Sequence, residues 1–200
     1  MKYYRKVLMK SQAAATAREY LARRGISAEA QEMFGIGYAP SGWKALITAM
    51  GRAGVAPHLL VEAGLAAMDA AGPGERYYDR FRNRVTFPIV NVYGRVVGFG
   101  GRALDDSTPK YLNSPESPVF NKRTNLYGLN LAADSIRADG AAVLVEGYLD
   151  VVTAHQAGLG NVVATLGTAL TAEQARLISR YAQRVVMCYD ADSAGSAATG

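Results

Sequence analysis

Ala142-Val143-Leu144-Val145-Glu146-Gly147-Tyr148-Leu149-Asp150 is an apolar run that ends at once in acid. The pattern returns as Arg184-Val185-Val186-Met187-Cys188-Tyr189-Asp190-Ala191-Asp192-Ser193-Ala194-Gly195. Four or five apolar residues followed directly by a carboxylate read as a buried parallel strand delivering an acid to its C-terminal edge. Open α/β sheets bind their ligands at that edge. Glu146 from one strand and Asp190 with Asp192 from another make a set of hard oxygen donors suited to Mg²⁺ or Mn²⁺. Such a set points to metal-assisted phosphoryl or nucleotidyl chemistry. The plainer reading is that Glu146 merely ends a strand and that Asp192-Ser193 caps the next helix. The appearance of both clusters on consecutive α/β units favours the metal. Asp150, four residues after Glu146, reads either as a further ligand or as a group serving a helix N-terminus.

Outward from these strands the chain alternates. A helix near 130–138 precedes the strand that ends at Glu146, and a helix from Leu149 to about Ala157 follows it. A strand at Asn161 to Ala164 comes next, then a helix capped by Thr171 and running to Tyr181 before the second acidic strand. Alternation of this kind implies parallel strands joined by right-handed crossovers. Leu166-Gly167-Thr168-Ala169 lies between strand and helix, where backbone N–H groups can face a phosphate; an ordinary structural turn is the simpler reading.

Upstream of 126 the pattern is different. Arg84 to Asn91 and Arg95 to Arg102 read as strands joined around Tyr93-Gly94. Pro88 argues for an edge strand or a bulge. Gly98, Gly100 and Gly101 leave either room for a ligand or another chain to approach the backbone, or simply a twisted strand. Residues 105–125 read as an irregular loop carrying Lys110 and Lys122. Before the strands, residues 2–24 read as one helix closed by Gly25, and Ser27 caps a second to Met33. Ser41 caps a third, from Trp43 to about Met50, and Pro57 opens a fourth. Gly64 to Gly74 carries no clear signal. The fold class is thus a basic mixed α+β subdomain over 1–125, followed by a Rossmann-like parallel-sheet α/β subdomain over 126–200.

Half of the residues are hydrophobic, enough for a real core, and the net charge is +5. That charge is concentrated. Between Arg76 and Arg123 lie nine basic residues against Asp79, Asp105, Asp106 and Glu116, a surplus equal to the whole net charge. A basic face favours a polyanion, although solvated basic surfaces are common. No apolar run approaches the ~18–20 residues of a membrane span, and no signal-peptide core follows Met1, so a cytoplasmic protein with no membrane partner is expected. The single Cys188, placed within a strand read as buried, allows no disulfide. With only His58 and His155 beside it, it also allows no internal zinc ribbon.

Several ordered stretches then resemble one family. Glu146-Gly147-Tyr148-Leu149-Asp150, Ala164 to Thr171, and Tyr189 to Gly195 are similar to the Toprim module of topoisomerases and primases. Asp79-Arg80-Phe81-Arg82-Asn83-Arg84, Phe87-Pro88-Ile89, Gly98 to Arg102, Pro109 to Glu116 and Phe120-Asn121-Lys122 resemble bacterial DnaG-type DNA primases in particular. So do Tyr20 to Ile26 and Phe34 to Pro40. The resemblance implies a catalytic core that makes short RNA primers on a single-stranded DNA template from ribonucleoside triphosphates, using a divalent metal, Mg²⁺ or Mn²⁺. It implies Glu146, Asp190 and Asp192 as catalytic metal ligands. Arg102, Lys110 and Lys122, with Arg82 and Arg84 beside them, become contacts to nucleotide, RNA primer or template. It also implies a zinc ribbon, further acids and a domain for the replicative helicase that are absent from this sequence, which therefore reads as a truncated core. Two other readings remain open. One is a Toprim nuclease or topoisomerase using the same acids for strand cleavage. The other is a non-catalytic module for single-stranded DNA.

Overall fold

The computed structural model describes residues 1–69, 76–167 and 169–189. The chain forms two compact units, Met1–Pro88 with Val97–Phe120, and Ile89–Val96 with Asn121–Gly200.

The first unit opens with helices. The single helix expected over 2–24 is two: α1 (Lys2–Lys10) and α2 (Ala15–Arg23), separated by a 3₁₀ turn at Gln12–Ala14. Ser11 is the cause. Its backbone is extended (φ −87°, ψ 136°) and its hydroxyl accepts from the Ala13 N–H, the bond by which serine competes with helix. Arg18 then pins the corner, donating to the carbonyls of Leu8 and Ser11 at 2.7 and 2.9 Å. α3 (Ala28–Met33) starts as expected, with the Ser27 hydroxyl accepting from Ala30 N–H. α4 (Ala45–Gly51) begins later than expected, and Ser41 does not cap it. α5 (Pro57–Glu62) carries Pro57 in its first turn.

A four-stranded sheet follows the order β1-β4-β5-β6, formed by Gly37–Ala39, Arg84–Val90, Val96–Ala103 and Tyr111–Asn113. β1 pairs with Arg84, Val85 and Thr86 only, so Pro88 lies past the end of that ladder and its missing N–H breaks no bond to β1. A separate hairpin, β2 (Ala66–Asp69) with β3 (Arg76–Asp79), occupies part of the region without a sequence signal. The glycine question in β5 resolves toward packing. A Cβ on Gly101 would lie 2.6 Å from the Phe81 ring and 3.1 Å from the Arg84 side chain, and one on Gly98 would lie 3.1 Å from Phe120. The close approach is made by the unit's own aromatic rings. Tyr4, Ala39, Leu46, Phe81 and Phe99 form a core in which Tyr4 meets Phe99 edge-on at 5.5 Å.

The second unit alternates as expected: α6 (Leu129–Asp139), β7 (Ala141–Val145), α7 (Tyr148–Gln156), β8 (Val162–Ala164), α8 (Ala172–Ile178) and β9 (Arg184–Met187). The strands are parallel in the order β8-β7-β9. Leu129, Ala132 and Ile136 of α6 pack with Ala142, Leu144 and Val163 of the sheet and Ile178 of α8. Cys188 is exposed rather than buried. Its strand is paired on one side only among the described residues, so the apolar run of β9 lies on an edge. No helix among the described residues is long and apolar enough to cross a membrane.

α8 starts with a full capping box: the Thr171 hydroxyl accepts from Gln174 N–H while the Gln174 side chain accepts from Thr171 N–H. Gln174 is fully buried, and its amide also donates to the carbonyls of Lys122 and Asn125, both at 2.9 Å. Thr171→Ala removes a cap and is expected to cost about 1 kcal/mol. Gln174→Ala also strands two carbonyls and leaves a cavity, so its loss should be larger, roughly 2–3 kcal/mol. Urea unfolding checks the order; equal losses would contradict it.

Candidate nucleic-acid interface and catalytic edge

In the first unit a buried carboxylate arranges the exposed groups around it. Asp79, 1% exposed at the end of β3, accepts from the backbone N–H groups of Leu46 and Ile47 at 2.7 and 3.1 Å. It thereby caps α4, which has no side-chain cap of its own. Burial pushes its carboxyl pKa up, and the bonds from α4 and the charge of Arg82 pull against that without cancelling it. The Asp79 N–H donates to the Trp43 carbonyl at 2.7 Å, and Arg82 donates to the Asp79 carbonyl. Trp43 is therefore fixed although 64% exposed. The Arg82 guanidinium lies 4.2 Å from the centre of its ring, and Tyr78 meets it edge-on at 5.8 Å.

The other basic positions fall into distinct environments. Arg84 is 5% exposed and donates to the carbonyls of Gly101 and Lys110 at 3.1 and 3.3 Å. Burial lowers its pKa, Asp105 pulls against that, and the charges of Arg82 and Arg102 lower it further. Arg82, Arg84 and Arg80 line a concavity of about 600 Å³ that Trp43 borders. Lys110 is exposed. Arg102 stacks over Tyr20 at 4.9 Å and Tyr111 at 5.9 Å, and Arg24 lies 5.6 Å from the same Tyr20 ring. With Arg23 they edge a second concavity of about 440 Å³. Arg102 Nε and the Tyr20 hydroxyl are buried there without a hydrogen-bond partner. Three guanidiniums and an unused hydroxyl form a polyanion-type lining. Lys122 belongs to the second unit, at the start of a 3₁₀ turn whose carbonyl Gln174 holds.

Also in the second unit, Glu146 is the first residue beyond β7, the central strand, and is half-buried. Asp150 serves the helix: its carboxylate accepts from Gly147 N–H at 2.9 Å. A Cβ on Gly147 would lie 2.9 Å from that oxygen, so a larger residue there would shift the Asp150 carboxylate. Cys188 N–H donates to the Leu144 carbonyl, extending the β7–β9 register. Tyr189 consequently reaches the level of Glu146; burial raises its pKa and the Glu146 charge raises it further. Asp190 and Asp192 lie outside the described residues, as does Thr168. No group of three His, Cys, Asp or Glu able to hold a metal occurs among the described residues.

Residues 3–133 match the sequence model of the DNA primase catalytic core, N-terminal domain. The chain belongs to the DNA primase catalytic-core family. Residues 143–200 match a Toprim-like family. The DNA primase of Clostridium acetobutylicum is 51% identical over 183 residues, which is 92% of this chain and 30% of that protein. The DNA primase of Halalkalibacterium halodurans is 50% identical over 198 residues, 99% of this chain and 33% of that one. Among solved structures, a DNA primase domain from Pseudomonas aeruginosa aligns with a TM-score of 0.92 and 42% identity, over 99% of this chain and 61% of the other. A DnaG primase catalytic domain bound to ssDNA aligns at 0.87 and 43%, with the same coverage. The chain thus spans about a third of the length of these primases.

Sequence reasoning missed Trp43, Tyr20, Arg24 and Asp79. Trp43 was hidden as the first residue of an expected helix, and Tyr20 and Arg24 as a helix end. The lone tryptophan now offers a direct probe. Arg82→Ala should uncover its ring, moving emission to the red and strengthening acrylamide quenching. Unchanged fluorescence would contradict the stacking.

Proposed function

We propose that this chain carries the catalytic centre of a DNA primase, a DNA-directed RNA polymerase that makes short RNA primers on single-stranded DNA from ribonucleoside triphosphates. The observation that carries this reading is the place of Glu146, immediately beyond the central strand of a parallel sheet, in a chain whose two parts match primase-core and Toprim-like families. Glu146 with Asp190 and Asp192 would hold Mg²⁺ or Mn²⁺. The influence of Glu146 on Tyr189, the neighbour of Asp190, fits two strand ends that share one electrostatic environment. A divalent metal held there would supply charge neutralisation to nucleotide phosphates.

The remaining roles fall to this chain's own groups. Arg102, with Arg23 and Arg24 around Tyr20, holds a phosphate chain. Arg82, fixed over Trp43, offers the template strand a cation and an aromatic face together, the combination that binds unpaired nucleic acid. Lys110 and Lys122 add phosphate contacts, and Arg84 braces the backbone from within. The template is single-stranded DNA, as in the ssDNA-bound relative. The nuclease or topoisomerase reading uses the same acids but leaves the primase-core match over 3–133 without a purpose.

Binding and chemistry should separate. In a chain extended to the length of its relatives, Glu146→Gln should lose primer synthesis by orders of magnitude while ssDNA affinity stays within a few-fold. Arg102→Ala should weaken binding first and recover activity at high template concentration. Steady-state kinetics over a template series decides it; full activity in Glu146→Gln would overturn the catalytic assignment. In the double variant Lys110→Ala/Lys122→Ala, the log–log salt dependence of ssDNA binding should flatten by about 0.7 per lost contact. An unchanged slope would place the strand elsewhere.

A further inference from the structure

Arg84 opens β4 and Arg82 stands two residues before it, so a strand continued back to Arg82 would put both on one face. They part instead. Arg82 lies against the exposed Trp43, whereas Arg84 is 5% exposed and bonded to the carbonyls of Gly101 and Lys110. Between them Asn83 has φ +49°, the one positive φ outside glycine among the described residues. Asparagine tolerates that left-handed region better than most residues because its short amide can bond locally.

Every polar group of Asn83 is used. Its N–H donates to the Pro40 carbonyl at 3.2 Å, and its carbonyl accepts from Leu104 N–H at 3.1 Å. Its side-chain oxygen accepts from the Tyr38 hydroxyl at 2.9 Å, and its side-chain amide donates to Asp105 at 2.7 Å. Asp105 also accepts from Ser107 N–H at 3.0 Å. Bonds from Ser107 and Asn83 hold the Asp105 carboxyl down at about 2, so this acceptor stays ionised throughout the neutral range. One residue therefore joins the end of β1, the start of β4 and the segment that follows β5.

We propose that Asn83 is a positioning residue for the priming reaction: its left-handed link divides the two arginines, sending Arg82 outward to Trp43 for the template strand and Arg84 inward to brace the backbone of Lys110. The proposal rests on the assignment of Arg82, Trp43 and Lys110 to the template. It extends that assignment to a residue whose own polar groups are all bonded within the protein. The conformation does the dividing, and the four hydrogen bonds hold it in place.

Three variants of this chain test it, each read by Trp43 fluorescence and by binding of a fluorescein-labelled oligo-dT. Asn83→Ala must carry a Cβ in the left-handed region without the side-chain bonds. It should move Trp43 emission toward that of Arg82→Ala and weaken oligo-dT binding roughly five- to ten-fold. Asn83→Gly keeps the backbone free to stay left-handed and should recover at least half of that loss on a logarithmic scale. Arg82→Ala is the reference for both signals. Parent-like emission and affinity in Asn83→Ala overturn the proposal, as does an affinity loss with unchanged emission, since the effect would then bypass Arg82. If Arg82→Ala itself binds oligo-dT like the parent, the template assignment fails. An emission shift in Asn83→Ala would in that case still report the positioning.

Discussion

The exposed chemistry of the first unit depends on one buried carboxylate. A carboxyl group at 1% exposure is costly unless its lone pairs are met. Asp79 meets them with the first free N–H groups of α4, and so couples a strand of the small hairpin to a helix 33 residues earlier in the chain. The same residue's backbone holds Trp43 on one side and Arg82 on the other. A large aromatic ring can then stand in solvent without losing its orientation, because its carbonyl and its cationic neighbour share a single anchor. Removing the carboxylate would free two helix N–H groups and loosen the ring–guanidinium pair together.

The second unit works on a different principle. Its sheet is parallel, with β7 in the centre and Glu146, the proposed metal ligand, immediately beyond its end. Tertiary anchoring is unnecessary there: strand register alone brings Tyr189 to the level of Glu146. The hydrogen bond from Gly147 N–H to Asp150 then turns the chain into α7. Ground-state grip on phosphates and stabilisation of a reacting phosphate make separate demands. Under the proposed function, the arginine-rich surface would answer the first demand and the acidic strand edge the second.

What could be read in the sequence was what local pattern determines. The apolar runs ending in Glu146 and Tyr189 gave parallel strands, and Thr171 with Gln174 gave a helix start, since both are decided within a few residues. The break at Ser11 was missed because the apolar spacing on either side continues a helical period; only the hydroxyl's competition for Ala13 N–H and the Arg18 clasp interrupt it. β2 and β3 were missed because Ala66-Ala67-Met68-Asp69 has no β-branched residue and pairs only through its partner. Cys188 looked buried because composition does not tell a central strand from an edge. The roles of Asp79 and Asn83 were invisible for a deeper reason: each is defined by bonds to residues 22–45 positions away.

The central claim is that Glu146 marks a divalent-metal edge in the second unit. Residue-resolved NMR of the ¹⁵N-labelled chain during Mn²⁺ titration tests it most directly, because paramagnetic broadening falls steeply with distance from the ion. Broadening should centre on the amides of Glu146, Gly147 and Tyr189 and largely disappear in Glu146→Gln. Broadening centred on the first unit, or undiminished in Glu146→Gln, would contradict the account.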